Sequence, residues 1–209
     1  MIRQVKVNSG QIVDRFLCLL LVLGVSSPGW TSGESVQTKY SVFDRLEVVS
    51  EAMQEIDILD MTSAVPISWQ VIKPSSKMRL AQFAISDERQ AEVVVFYFGV
   101  GQGGGAQANI DRWVSQFKPV NGKPVQPRVK NLTTTGGFAV TWVEIQGDYA
   151  RGVGVGPIGD FKSDRMLIAA ITETPHGNLY IQFHGDNKTI LEHRDEFSQF
   201  VMALRKKSA

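Results

Sequence analysis

Residues 91–117 read AEVVVFYFGVGQGGGAQANIDRWVSQF, an apolar β-branched run, then five glycines within the seven residues from Gly99 to Gly105, then apolar residues at helical spacing. Glycine enters positive φ at little cost, so a turn this rich in glycine joins a strand directly to a helix. Whatever the chain folds into has to accommodate that strand, turn and helix as one unit.

On either side of this unit the pattern is that of a sheet. Residues 67–72, 78–85, 92–98, 129–134, 138–149, 166–173 and 179–184 are rich in β-branched and aromatic side chains and are separated by polar turns. In residues 78–85 the alternation places Met78, Leu80, Gln82 and Ala84 on one face and Arg79, Ala81, Phe83 and Ile85 on the other, and Tyr180, Gln182 and His184 oppose Ile181 and Phe183. The connections at 86–90 and 175–178 are too short for parallel crossovers and indicate antiparallel hairpins. One helix begins near Ala106 and buries Ile110, Trp113, Val114 and Phe117. A second runs from about Lys188 to Arg205 with Ile190, Leu191, Phe197, Val201 and Leu204 inward, capped by Asp186 or Asn187. The expected fold is α+β, an antiparallel sheet of six to seven strands flanked by helices.

Upstream, Arg3, Lys6 and Arg15 precede the apolar run of residues 16–25, and small and turn-forming residues follow through Gly33. This is the order of a secretory signal peptide. Ten apolar residues span about 15 Å as a helix, roughly half of a hydrocarbon core, so no stable membrane span is expected. Cleavage is placed after Gly33, which divides the chain into a signal peptide at 1–33, a linker or amphipathic helix at 34–64 and a single α+β domain at 65–209. The helical reading of 34–64 rests on Phe43, Leu46, Val49, Met53 and Ile56. The one cysteine, Cys18, falls in the removed segment, so the mature chain forms no disulfide. Losing Arg3, Lys6, Arg15 and Asp14 takes the net charge from +1 to −1, a balance that argues against nucleic acid as partner. The expected location is the bacterial periplasm or cell envelope.

Candidate chemistry centres on the turn. Gly99, Gly101 and Gly104 satisfy the G-x-G-x-x-G spacing of a dinucleotide fingerprint. The helix, however, runs into KPVNGKP, with no following strand that ends in an acidic residue for the ribose. No cofactor is expected. Backbone N–H groups at a helix N-terminus still suit a small anion, and the candidate ligand-binding residues are Gly101, Gly103, Gly104 and Gly105, with Ala106 beside them and Asn109 and Arg112 on the first turns. The alternative is that these glycines serve backbone geometry and close packing, with Asn109 a cap and Arg112 solvated. The glycine-rich segment 151–165 is read as a mobile connection or a lid.

Other motifs dissolve. His193-Arg194-Asp195 resembles a kinase catalytic loop, but Phe200 stands where its asparagine belongs. His176, His184 and His193 do not have metalloprotease spacing, and neither a metal site nor a catalytic residue is assigned. His184 reads equally as a half-buried strand residue. Glu144 and Asp148 share a strand face and are read as solvated, and Trp69, Trp113 and Trp142 as core side chains or aromatic anchors.

The unit FYFGVGQGGGAQANIDRWVSQF, with Trp69, Met78-Arg79 and the closing YIQFHGDNKTILEHRDEF, resembles a group of exported bacterial proteins of uncharacterised function over roughly residues 65–205. The strand order is similar to the α/β/α sandwich of PsbP, the extrinsic protein of the photosynthetic oxygen-evolving complex. That resemblance implies a non-enzymatic module that binds another protein; it carries over no catalytic residue, and the glycine turn is an addition to its pattern. The expected function is an exported binding or accessory module whose partner is an envelope protein or a small anionic ligand. The rival expectation is a small-anion binder or enzyme that uses the turn at 99–105.

Overall fold

The computed structural model describes residues 6–12, 52–74, 76–85, 91–151 and 158–207. Strand β1 (Lys6–Ile12) pairs antiparallel with β2 (Met53–Ile58), and β2 turns through Leu59 and Asp60 into β3 (Met61–Pro66). Then follow β4 (Gln70–Val71), β5 (Arg79–Ile85), β6 (Ala91–Tyr97), α1 (Ala106–Val114), β7 (Arg128–Thr133), β8 (Ala139–Tyr149), β9 (Lys162–Thr174), β10 (Gly177–Asp186), α2 (Asn187–Glu192), α3 (Arg194–Met202) and β11 (Arg205–Lys206). Strands β4 to β10 form one seven-stranded antiparallel sheet in the order β4-β5-β6-β10-β9-β8-β7. The others form a four-stranded antiparallel sheet, β1-β2-β3-β11.

The α+β architecture follows from the alternation in the sequence. Both faces of the large sheet are apolar, so each requires a cover. On one face Ala81, Phe83, Val93, Val95, Ile168, Ile181 and Phe183 pack against Phe197, Phe200 and Val201 of α3 and against Ile56, Ile58, Met61 and Val65 of the small sheet. On the other face, Ile110 and Trp113 of α1, with Phe117 just beyond it, pack on Val143, Ile145, Leu167, Ala169, Ile171 and Tyr180. The chain leaves the sheet centre at β6 and re-enters at the far edge as β7, which carries α1 across β8 to β10 and leaves the β5–β6 end of that face without a helix.

Several expectations are corrected. Met53 and Ile56 belong to a strand, because Ile56 and Ile58, two residues apart, alternate into the core; the three-residue step from Met53 to Ile56 fits a helix and puts the two on opposite faces of the strand. Residues 53–64 thus pack in the core with the segment expected to start at 65, while Phe43, Leu46 and Val49 lie outside the described residues. The closing helix is broken at His193 into α2 and α3, which turns Leu191 out to solvent. Strand β9 begins at Lys162, so residues 162–165, read from the sequence as part of the connection, belong to a strand.

The face assignment in β5 also changes, because Arg79 pairs with Phe96 while Ala81 pairs with Val95, and the extra residue is Leu80. This bulge turns Leu80 into the core beside Ala81 and moves Arg79 to the face of Gln82.

The apolar run 16–25, Cys18 and the expected cleavage point lie outside the described residues, whereas β1 falls within the segment assigned to the signal peptide. Among the described residues no helix is long and apolar enough to cross a membrane.

Candidate functional site

Where the large sheet lacks a helix, a charged network occupies the gap. Glu92 of β6 and His184 of β10 stand directly opposite each other, and Gln82 of β5 is on the same face one step along. Gln82 Nε2 donates to Glu92 Oε2 at 2.7 Å, and Arg79 donates to Gln82 Oε1 at 2.8 Å. Arg151, just past the end of β8, pairs with Glu92 Oε1. His184 Nε2 lies 3.0 Å from the same oxygen, but it is out of line for a hydrogen bond and has no other partner among the described residues. One carboxylate thus serves Arg151 directly and Arg79 through Gln82.

Gln82, Glu92, Arg151 and His184 border a pocket of about 790 Å³, together with Tyr149, Ile158, Asp160, Lys162 and the Arg165–Asp186 pair. Arg165 and Asp186 are cross-strand neighbours on β9 and β10, bonded at 2.8 Å. The Tyr149 ring lies 6.1 Å from that of His184, and its hydroxyl donates to Gln116 Oε1 at 3.2 Å. The volume suits a small molecule, and polar groups from several strands converge on it.

Burial governs the electrostatics. It acts to raise the Glu92 pKa, but the close approach of His184 and the pairing with Arg151 outweigh it and hold the carboxyl at about 2. Burial also lowers the pKa of His184, the charges of Arg151 and Arg79 add to the effect, and Glu92 opposes it. Around neutral pH the pair is therefore a carboxylate beside a neutral imidazole. Burial pushes the Tyr149 hydroxyl up to about 12.

The glycine turn lies elsewhere on the same face. Tyr180, Gln182 and His184 alternate along β10, with the turn at the Tyr180 end and the pocket at the His184 end, about 13 Å apart at strand spacing. Gly99, Gly101, Gly103 and Gly104 have positive φ, and Gly105 caps α1 in an extended conformation. Asn109 is buried and donates to the Gly103 and Gly105 carbonyls at 2.9 and 3.0 Å. Arg112 donates to Asn109 Oδ1 at 2.8 Å, and the Tyr180 hydroxyl donates to the Gly104 carbonyl at 2.6 Å. The structure thus gathers Gly103, Gly104, Gly105, Asn109 and Arg112 into one hydrogen-bonded cluster. Gly101 stands apart, with open space where a side chain would project.

Sequence reasoning passed over Glu92, Gln82 and Arg79 and treated His184 as an ordinary strand residue. A visible signal was Glu92 itself, a charge embedded in the apolar run AEVVVFYF. Arg79 was concealed by the bulge. Glu144, read as solvated, is buried: it accepts from Trp142 Nε1 at 2.9 Å and pairs with Arg194 of α3. Trp69, Trp113 and Trp142 are core side chains.

The fold defines an α+β domain with one antiparallel sheet between helical layers. No protein-family model matches the chain, and no curated protein matches it. Among solved structures it is similar to cyanobacterial PsbP (CyanoP) from Synechocystis sp. PCC 6803, at 12% identity and a TM-score of 0.48, covering 77% of this chain and 96% of that one. It is also similar to PA94 from Pseudomonas aeruginosa, a protein of unknown function, at 13% identity and a TM-score of 0.37, covering 75% of this chain and 99% of that one. A PsbP protein, to which the strand order bore a resemblance, is thus among the similar structures. No residue or role is carried across at this distance.

Proposed function

We propose that the protein is an exported binding module whose recognition element is the pocket formed by Glu92, His184 and Arg151. The observation that carries this reading is the partly buried charge network at the one end of the sheet face that α1 leaves open. Desolvating two guanidinium groups, a carboxylate and an imidazole for structural support alone is costly, and apolar side chains would hold two strands together as well. Binding fits better than catalysis: the Glu92 oxygens are taken up by Gln82 and Arg151, and the Tyr149 hydroxyl keeps its proton far above neutral pH.

Export is supported by the order of basic residues, apolar run and small residues through Gly33. Cleavage there would remove β1 and leave β2 at the edge of the small sheet. N-terminal sequencing of protein recovered from the envelope fraction tests this, and an intact Met1 in a cytoplasmic fraction would refute it.

The pocket is tested by a thermal-shift screen of the full chain and of Arg151→Gln against small polar metabolites. A ligand at a hundred times its dissociation constant adds about 2.7 kcal/mol of stability, which is readily visible. Shifts confined to the unsubstituted chain support the pocket. Equal shifts in both proteins contradict it.

A further inference from the structure

We infer that the pocket takes a small oxyanion, a carboxylate or phosphoryl group seated against Arg151 and His184; this rests on the pocket being the recognition element. The first support is the charge balance. Among the described residues, Arg151, Lys162 and Arg165 line the space together with Glu92, Asp160 and Asp186, and Arg79 stands behind Gln82 as a fourth cation to these three anions. His184 adds no compensating charge.

The arrangement is more telling than the count. Asp186 is engaged by Arg165 at 2.8 Å, and Glu92 is shared between two guanidinium groups, so Arg79 has no carboxylate of its own among the described residues. Arg79 instead rests over the Phe96 ring, 5.7 Å from its centroid. Burial lowers the pKa of Arg79, the neighbouring Arg151 charge lowers it further, and Glu92 opposes both. An anion near Arg151 would relieve that repulsion, as Arg presents planar donors that match an oxyanion.

The second support is His184. Its Nε2 is buried on the pocket wall without a hydrogen-bond partner among the described residues. A buried ring nitrogen loses hydration on folding and recovers it only through a partner. A ligand oxygen reaching both Arg151 and Nε2 supplies one, as donor or acceptor according to the tautomer. Exposed Lys162 at the pocket rim adds attraction at longer range.

The test is calorimetry on the full chain with inorganic phosphate, methylphosphonate, succinate and benzoate as anions, choline as a cation and glycerol as a neutral compound. At least one anion is expected to bind, with affinity falling at least tenfold in Arg151→Gln and about two- to fivefold in Lys162→Gln. Lys162 is exposed, so its variant keeps the melting midpoint and serves as the control for folding. Phosphate and phosphonate binding without the carboxylates assigns a phosphoryl ligand, and the reverse assigns a carboxylate. Choline or glycerol binding that is lost in Arg151→Gln overturns the anion class and leaves the pocket reading standing. Anion binding unchanged in both variants overturns the pocket reading, and no heat from any of the four anions at 10 mM overturns the oxyanion inference.

Discussion

Gly103 and Tyr180 approach so closely that no side chain fits between them: a Cβ on Gly103 would lie 2.6 Å from both the ring and the hydroxyl of Tyr180, and 2.7 Å from Phe98. Gly103 also has φ of +88°. Gly103→Ala therefore combines overpacking with backbone strain and is expected to cost about 2–4 kcal/mol in urea denaturation. Gly101→Ala meets open space at positive φ and should cost only about 1 kcal/mol. Equal costs at the two positions would contradict the packing account.

Gly136 is a second contact of this kind, with backbone instead of a side chain opposite. A Cβ there would lie 2.5 Å from Arg205 Cα and 2.7 Å from the Leu204 carbonyl oxygen. The Gly136 N–H donates to that same carbonyl at 3.1 Å, so the β7–β8 turn is fastened to the start of β11. Gly136→Ala should destabilise by about 1–3 kcal/mol and raise amide exchange at Arg205 and Lys206. Unchanged exchange there would refute the fastening.

Acid should weaken the fold in two stages. Glu92 is held at about 2 against an ordinary 4.5, so the stability its ionised form supplies is complete above pH 4.5 and is lost as pH falls through about 2. His184 is depressed below its ordinary 6.5, so the stability from its neutral form is complete above pH 6.5 and is lost as pH falls below that value. Both effects run the same way. Unfolding free energy should decline from pH 7 to pH 3, with His184→Gln flattening the upper part and Glu92→Gln the lower. A pH-independent midpoint would contradict the network.

On the opposite face Glu144 joins sheet to helix through Trp142 and Arg194. Glu144→Ala strands the buried indole N–H, and with Arg194 partly in solvent the expected loss is about 1–3 kcal/mol. If Trp142→Phe in that background restored none of it, the orphaned donor would not be the cause.

How far the sequence revealed the fold depends on the range of the interaction. Residues 92–98, 138–149 and 179–184 were recognisable as strands because each apolar residue reports its own face, and Trp113 and Phe117 because helical spacing does the same. The β2–β3 hairpin was missed because the three-residue step from Met53 to Ile56 reads as helical, and the short alternation of Ile56 and Ile58 is secured only by pairing with β3. Arg79 was placed on the wrong face because a bulge is set by the partner strand. The pocket was least legible. Glu92, Arg151 and His184 come from positions far apart in the chain, and no spacing in sequence records that β6 and β10 are neighbours.

The measurement that bears most directly on the pocket is an NMR titration of the histidine ring nitrogens during ligand addition. The chain has three histidines, and His184→Gln assigns the relevant signals. The account predicts that a bound ligand moves the His184 resonances while those of His176 and His193 stay in place. An unmoved His184, with shifts instead at the Gly103, Gly104 and Gly105 amides, would contradict it and return the site to the glycine turn.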